Sequence, residues 1–402
     1  MNVLFITPSF PKEEMGQNIY TDIAEGIAIK NKITVVVAEE KKKNEKTTLV
    51  KERNIPVLRV RVGNLYDVSF IEKGLTFITM QYKIKNAIRK YLKNENYDMI
   101  LFMAPPITLG SVVKYAMKKY KAISYLMQKD IFPQNAIDLK IMTKKSPVYW
   151  YFRYKEKNMY KIATFIGCMS KKNMEFLEKH NKFLDKNKLE LFPNTITCRK
   201  GKKERNSALR RKYDIADDAV LAIYGGNFGK PQGINFIEKV LQEYKNNSKV
   251  VFLFIGKGTE KEKLYNFIKD TNIKNAIALD FVPRDEYLEI LSSADIGLVF
   301  LDYRFTIPNI PSRTLSYFEY ELPIMAATDK NTDYRNLLED AKAGLWSESN
   351  NIDNYKREFD KLIADKKLRE KMGQNGRKYL EENLTTDKSI EILEKHIKER
   401  GN

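Results

Sequence analysis

The stretch Tyr224-Gly225-Gly226-Asn227-Phe228-Gly229-Lys230-Pro231-Gln232-Gly233 has the residue types of an anion cradle. Glycines let a backbone turn sharply and approach a ligand closely. Free N–H groups at a following helix start favour negative charge, and Lys230 adds a full positive one. The spacing is neither Gly-x-Gly-x-x-Gly nor a P-loop, so an ordinary strand-to-helix turn is the alternative. Ile255-Gly256-Lys257-Gly258 is a second glycine turn, and Phe281-Val282-Pro283-Arg284 a third strand end in the same half. Taken alone, each reads as structural. Ile310 to Glu319 opens a helix, with Ser312 as its N-cap. Arg313 then falls in the first turn, where its charge opposes the helix dipole and points to an anion nearby. In the first half, a loop from Pro8 to Gly16 follows one strand, and Lys129-Asp130-Ile131-Phe132-Pro133-Gln134 follows another. A carboxylate at a strand end is a candidate base or orienting group. For Asp130 alone, an Asx-type turn or cap is the plainer reading.

Other residue types are scarce, and that excludes chemistry. The two histidines, His180 and His396, stand in polar helical contexts and read as surface residues. A Ser-His-Asp or Cys-His system has no base, and a histidine zinc site has no ligands. Cys168 and Cys198 match no metal or redox spacing, which predicts a reduced, cytoplasmic compartment. The N-terminal residues do not form a signal peptide, and no apolar run reaches the ~20 residues of a membrane span. The net charge is +19, from 71 basic and 52 acidic side chains. Such a chain is drawn to phosphorylated substrates, anionic lipid or nucleic acid, unless the lysines merely solvate helices. Zinc-finger spacing, an RNP-like run and an arginine-rich tail are all missing, which argues against nucleic acid.

The elements that must position these residues alternate. Apolar, β-branched runs at Val3–Thr7, Ile33–Ala38, Tyr97–Met103, Ala122–Met127, Phe165–Met169 and Leu189–Phe192 read as buried strands. Helical periodicity lies between them, from Ile19 to Lys30 first. A polar segment, 199–212, reads as a linker. A second series follows, with strands at Val220–Tyr224, Val250–Ile255, Ala276–Leu279, Ile296–Phe300 and Ile324–Ala327 and a charged helical end from Ile352. Strand, helix, strand at this spacing means parallel sheets. The fold class expected is α/β, with two doubly wound, Rossmann-like domains. Ligands in such sheets sit beyond the carboxyl ends of the strands, and two domains facing one another would enclose a cleft there.

Taken in order, these segments resemble glycosyltransferase family 4, and within it enzymes of capsule and O-antigen synthesis. The motifs are Leu4-Phe-Ile-Thr-Pro-Ser-Phe-Pro11 with Gly16, Asp130-Ile-Phe-Pro133, Cys168-Met-Ser170, Phe192-Pro-Asn194, Tyr224-Gly-Gly-Asn227 with Gln232-Gly233, Ile255-Gly-Lys-Gly258, Ala294-Asp295, and Pro311-Ser-Arg313 through Pro323. The resemblance implies a GT-B fold with an acceptor domain over 1–198, a nucleotide-sugar domain over 199–385, and a terminal helix over 386–402 crossing back to the first domain. It implies sugar transfer with retained anomeric configuration and no cofactor. Lys230 and Arg313 would contact the donor diphosphate, with Gly226 and Asn227 beside them. The turns at Gly256 and Val282 would hold the base. Asp130 would face the reacting centre, and Gly16, Gln17 and Gln134 would lie on the acceptor side.

One departure stands out. The two glutamates usual in that family fall, on this alignment, at Pro308 and Ser316. Glu319, one turn beyond Ser316, could take over the ribose contact, with Asp302 and Asp329 as weaker candidates. Sugar transfer releases a nucleoside diphosphate, whose charge lysine, arginine and helix N-termini can stabilise without a metal. No Asp-x-Asp stands at a strand end. The expected donor is a UDP-sugar, and the expected acceptor a polyprenyl-diphosphate-linked intermediate or a glycan. Residues 144–161 and Phe70–Tyr91 mix aromatic or aliphatic residues with cations, as interfacial helices do. They suggest peripheral contact with an anionic membrane surface, the inner face of the plasma membrane, or else two amphipathic core helices. The rival readings are a nucleic-acid-binding protein, a sugar-nucleotide epimerase, which would need better-placed histidines, and an inactive scaffold in a capsule assembly complex.

Overall fold

The computed structural model describes residues 1–64, 68, 70–199 and 207–401. The chain divides into two compact units, Met1–Thr197 with Thr386–Asn402, and Cys198–Thr385.

Unit 1 begins β1 (Asn2–Thr7), α1 (Ile19–Lys30), β2 (Lys32–Glu39), β3 (Thr48–Glu52), β4 (Ile55–Arg61), α2 (Phe70–Tyr91) and β5 (Met99–Ala104). It continues α3 (Gly110–Tyr120), β6 (Ile123–Gln128), α4 (Gln134–Asp138), α5 (Pro147–Ile162), β7 (Phe165–Cys168), α6 (Lys171–His180) and β8 (Leu189–Leu191). The sheet order is β3-β4-β2-β1-β5-β6-β7-β8. All pairings are parallel except the β3–β4 hairpin. Every residue of β5 is buried, as a parallel strand covered on both faces requires. The β3–β4 pair is not among the strands expected from apolar runs. Its turn is Arg53-Asn54, both with positive φ, the conformation of a two-residue primed turn.

Unit 2 begins α7 (Ser207–Lys212), β9 (Val220–Asn227), α8 (Ile234–Glu243), β10 (Val250–Lys257), α9 (Lys261–Asp270), β11 (Ala276–Leu279) and α10 (Arg284–Ser292). It continues β12 (Ile296–Phe300), α11 (Arg313–Glu319), β13 (Ile324–Thr328), α12 (Tyr334–Ala341), β14 (Gly344–Glu348), α13 (Ile352–Ala364) and α14 (Lys366–Asn383). The order is β11-β10-β9-β12-β13-β14, all parallel. An aromatic core of Tyr224, Phe228, Phe236, Phe252, Phe254, Phe300, Tyr355 and Phe359 fills one side of this sheet.

The last helix, α15 (Thr386–Gly401), belongs to unit 1. It packs on α1, and Ile390 and Leu393 enter the core around β1. Gly26 makes room for it, since a Cβ there would come within 2.7 Å of Thr386. His396 is therefore not a surface residue. It is buried at 7% exposure, stacked on Phe165, with Nε2 2.7 Å from Glu190. His180 is exposed as expected. The linker reading also needs correction. Residues 200–206 lie outside the described residues, but 207–212 form α7. Arg210 from that helix is fully buried, donating to the carbonyls of Ser293, Ala216 and Ala219 and pairing with Asp295. Among the described residues, no helix is long and apolar enough to cross a membrane.

Candidate functional site

In unit 2 the strand order reverses between β9 and β12, so a ligand is expected beyond their carboxyl ends. The two strands pair only at Ile296↔Ala222 and Gly297↔Ile223, then part. Tyr317 of α11 occupies the opening. Its hydroxyl lies 3.1 Å from the carbonyl oxygens of both Ile223 and Leu298, and the Gly225 N–H donates to it at 3.5 Å. Gly297 permits this, because a Cβ there would come within 2.5 Å of the tyrosine ring.

Arg313 stands one turn before Tyr317 on the same helix face, so the wedge also positions the guanidinium. Its Cζ lies 4.1 Å from the centroid of the Tyr224 ring, a cation–π contact. Gly226, at φ 139°, passes directly beneath, and a Cβ on it would sit 3.1 Å from Nη2. Arg313 Nη1 is buried and has no hydrogen-bond partner. A buried donor left unsatisfied costs about 1–3 kcal/mol, more when charged. An anion at this place would remove that cost.

The surrounding turns are nested. Gly226 and Gly256 are paired in register, and a Cβ on Gly256, at φ 151°, would overlap the Gly226 carbonyl oxygen at 1.8 Å. The turn bearing Lys230 is pinned by Gln232, whose Oε1 accepts from Gly229 N at 2.9 Å and from Asn227 Nδ2 at 3.4 Å. It is tied to the segment after β12 by the Asp302 N–H, which donates to Pro231 O at 2.8 Å. Lys230 itself is exposed. Phe281, 61% exposed, lies under Lys257 Nζ at 5.0 Å, and Val282 follows it, half-buried. The structure thus brings Gly226, Asn227, Lys230, Gly256 and Arg313 together, with Ser316 half-buried one turn after Arg313.

Several expectations change. Ser312 does not cap its helix, for it is already helical and its side chain makes no capping bond. Glu319 is 4% exposed, and its Oε1 accepts from the Arg199 N–H at 3.0 Å. Arg377 braces the same junction by donating to the carbonyls of Glu319 and Arg199. Glu319 therefore holds the start of unit 2. Asp302 forms a two-point pair with Arg304, and Asp329 accepts from the N–H groups of Asn331 and Thr332 as an Asx turn. Both carboxylates thus have partners within their own loops. Among the described residues, no group of histidine, cysteine and acidic side chains is arranged to hold a metal ion.

In unit 1 the order reverses between β1 and β5. After β1, Gly16 has φ 84° and its carbonyl accepts from Arg53. Arg53 pairs with Glu25 at 2.8 Å, and Gln17 donates to the same carboxylate at 3.1 Å. Gly16 and Gln17 are thus fastened together by the hairpin turn. Asp130 follows β6. It is half-buried, its N–H donates to Ala104 O, its carbonyl accepts from Gln128, and burial raises its carboxyl pKa. Gln134 opens α4 and donates to Asp138 at 2.8 Å. The sequence around Tyr317 and Lys129 assigns neither a role. The wedge depends on two strands parting, and the lysine's surroundings come from a third segment around Asn194. Neither is a feature of local sequence.

No curated protein sequence matches the chain. Solved structures do resemble it. Sucrose-phosphate synthase from Thermosynechococcus elongatus superposes with a TM-score of 0.76 at 13% identity, over 99% of each chain. HepE of Anabaena, solved with UDP-glucose, gives 0.71 at 15%, over 98% of this chain and 99% of that one. WaaG, a glycosyltransferase of lipopolysaccharide biosynthesis, gives 0.64 at 13%, over 97% and 99%. At these identities the likeness is one of fold, and the neighbours are GT-B glycosyltransferases. The chain therefore has the GT-B fold, and its residues 205–379 match the family of group 1 glycosyl transferases.

Proposed function

We propose that this protein is a glycosyltransferase that moves a sugar from a UDP-sugar to a lipid-linked or glycan acceptor in surface polysaccharide synthesis. The observation that carries the reading is the buried, unpartnered Nη1 of Arg313 over Gly226, at the strand-order reversal of unit 2. The family matched by residues 205–379, and the UDP-glucose held by HepE, support a nucleotide-sugar there.

In this reading Arg313 and Lys230 face the donor diphosphate. Gly226, Asn227 and Gly256 allow the backbone to approach it, Val282 flanks the base, and Ser316 lines the sugar side. As the glycosidic bond breaks, negative charge moves onto the departing diphosphate. A fixed guanidinium is most valuable there, because its orientation is set before the charge develops. Those cations do the work without a metal or a cofactor. Asp130 faces the reacting sugar, and Gly16, Gln17 and Gln134 take the acceptor. Transfer retains anomeric configuration. The acceptor's lipid explains a peripheral place on the inner face of the membrane. Nucleic acid is not a partner.

A second reading is favoured by one observation. Pro308 and Ser316 stand where the resemblance expects glutamates, which fits an inactive scaffold. Release of UDP from a panel of UDP-sugars, in EDTA and with lipid extracts as acceptor, separates the two. Transfer by the wild type, reduced about 100-fold or more in Arg313→Ala, supports the enzyme. Absence of turnover with every donor supports the scaffold.

A further inference from the structure

Among the described residues of unit 2, two large apolar side chains are exposed, Phe281 at 61% and Tyr303 at 50%. Both stand beyond the carboxyl ends of the sheet, Phe281 after β11 and Tyr303 after β12. An aromatic ring left in water forgoes the gain of burial. Two such rings, both on the edge that carries Arg313, point to a ligand that covers them.

Strand register fixes where Phe281 lies. Between β9 and β10 the last pairs are Gly226↔Gly256 and Asn227↔Lys257. Between β10 and β11 the last pair is Ile255↔Leu279. Two residues further along each chain, Lys257 and Phe281 still adjoin, with the ammonium 5.0 Å from the ring centroid. Asn227, Lys257 and Phe281 therefore form one row across three strand ends. Neighbouring strands lie about 4.8 Å apart, so Phe281 is roughly 10 Å to one side of the turn beneath Arg313. A ribose and a phosphate bridge that distance.

The two rings differ in their company. Tyr303 stands among polar groups, beside the Asp302–Arg304 pair and the turn bearing Lys230. Phe281 has the Lys257 ammonium on its ring, and the neighbouring Asp280 is bonded to Lys261. A sugar needs hydrogen-bonding partners, whereas a flat heteroaromatic base needs only a π-face. An exposed cation on such a ring contributes about 2- to 5-fold in affinity, and a stacked base about 5- to 150-fold, so a base displaces the lysine.

We infer that Phe281 is the platform on which the nucleobase of the donor stacks, its diphosphate reaching back along the row to Arg313. The inference rests on the proposed nucleotide-sugar reading and adds the residue that holds the base.

The test uses the full chain in EDTA, with UDP, GDP, ADP and inorganic pyrophosphate as probes. Wild type, Phe281→Ala and Phe281→Trp are titrated with each. The wild type binds its preferred nucleotide about 5- to 150-fold more tightly than pyrophosphate. Phe281→Ala loses most of that margin and binds pyrophosphate as the wild type does. Phe281→Trp keeps the margin, and its added indole fluorescence is quenched by the nucleotide and not by pyrophosphate. A margin that survives in Phe281→Ala overturns the inference, as does a Phe281→Trp indole that ignores the nucleotide. In both cases nucleotide binding itself stands, and with it the transfer reading. A wild type that binds neither nucleotide nor pyrophosphate counts against that reading and removes the platform with it.

Discussion

Arg313, at the start of α11, and Lys129, just after β6, are both half-buried cations, and they differ in what surrounds them. Arg313 lies on the Tyr224 ring and stays charged at any working pH, so its open Nη1 is a permanent attraction for an anion. Lys129 can relieve its situation by losing a proton, and burial brings it to about 7. This depressed value has a consequence for stability. Between about pH 7 and pH 10.5 the unfolded chain holds a proton that the folded chain does not. Stability therefore rises with pH across that window, and the cost of burying the amine is fully present below it. Lys129→Met removes the cost together with the hydrogen bond to Asn194 Oδ1, a loss that does not depend on pH. The variant's Tm relative to wild type should be higher at about pH 6 than at about pH 10, by roughly 2–4 °C for each kcal/mol relieved. A difference in Tm that is the same at both pH values would contradict the buried, proton-shedding lysine.

At the scale of elements, α2 and α5 of unit 1 each carry both buried and exposed apolar residues. Ile84 and Ile88 of α2 are buried, as are Tyr149, Met159 and Tyr160 of α5. Other positions remain open to solvent: Ile78 and Tyr82 on α2, and Val148, Trp150 and Tyr154 on α5. Lys83 on α2, and Lys144 and Lys145 just before α5, are exposed as well. Apolar and aromatic groups ringed by lysine suit an anionic lipid interface, where each cation contributes about 1 kcal/mol. The protein should sediment with anionic liposomes at low salt and be released at high salt. Trp150→Ala combined with Tyr82→Ala should weaken sedimentation several-fold. Retention by neutral and anionic liposomes alike, or no sedimentation at low salt, would remove the proposal. These helices also show what the sequence could disclose. Their periodicity was plain, but which apolar residues face inward depends on what packs against them. The same holds for strands. Buried parallel runs such as β1, β5 and β9 announce themselves by unbroken apolar residues. The β3–β4 hairpin hides behind Pro56 and its charges, although Pro56 falls one residue before the parallel pairing with β2 begins at Val57. The edge strand β14 is only partly buried and has no apolar run to reveal it.

At the scale of the whole molecule, each unit reverses its strand order once, and each puts its candidate residues beyond those strand ends. The glycine turns of unit 2 were legible because glycine is needed wherever backbone meets backbone, as Gly256 meets Gly226. The burial of Glu319 was not, because its partner, Arg199, lies 120 positions away in the chain. The net charge of +19 suits a protein whose proposed donor, acceptor and surface are all anionic. The central claim is that unit 2 binds a nucleoside diphosphate through Arg313. Calorimetric titration of UDP, GDP and ADP into the full chain, in EDTA, tests it most directly. The account predicts UDP binding without metal, weakened roughly 10–150-fold by Arg313→Ala, the value of a hydrogen bond to a charged group. UDP binding that is unchanged in Arg313→Ala, or a wild type that binds none of the three nucleotides, would contradict it.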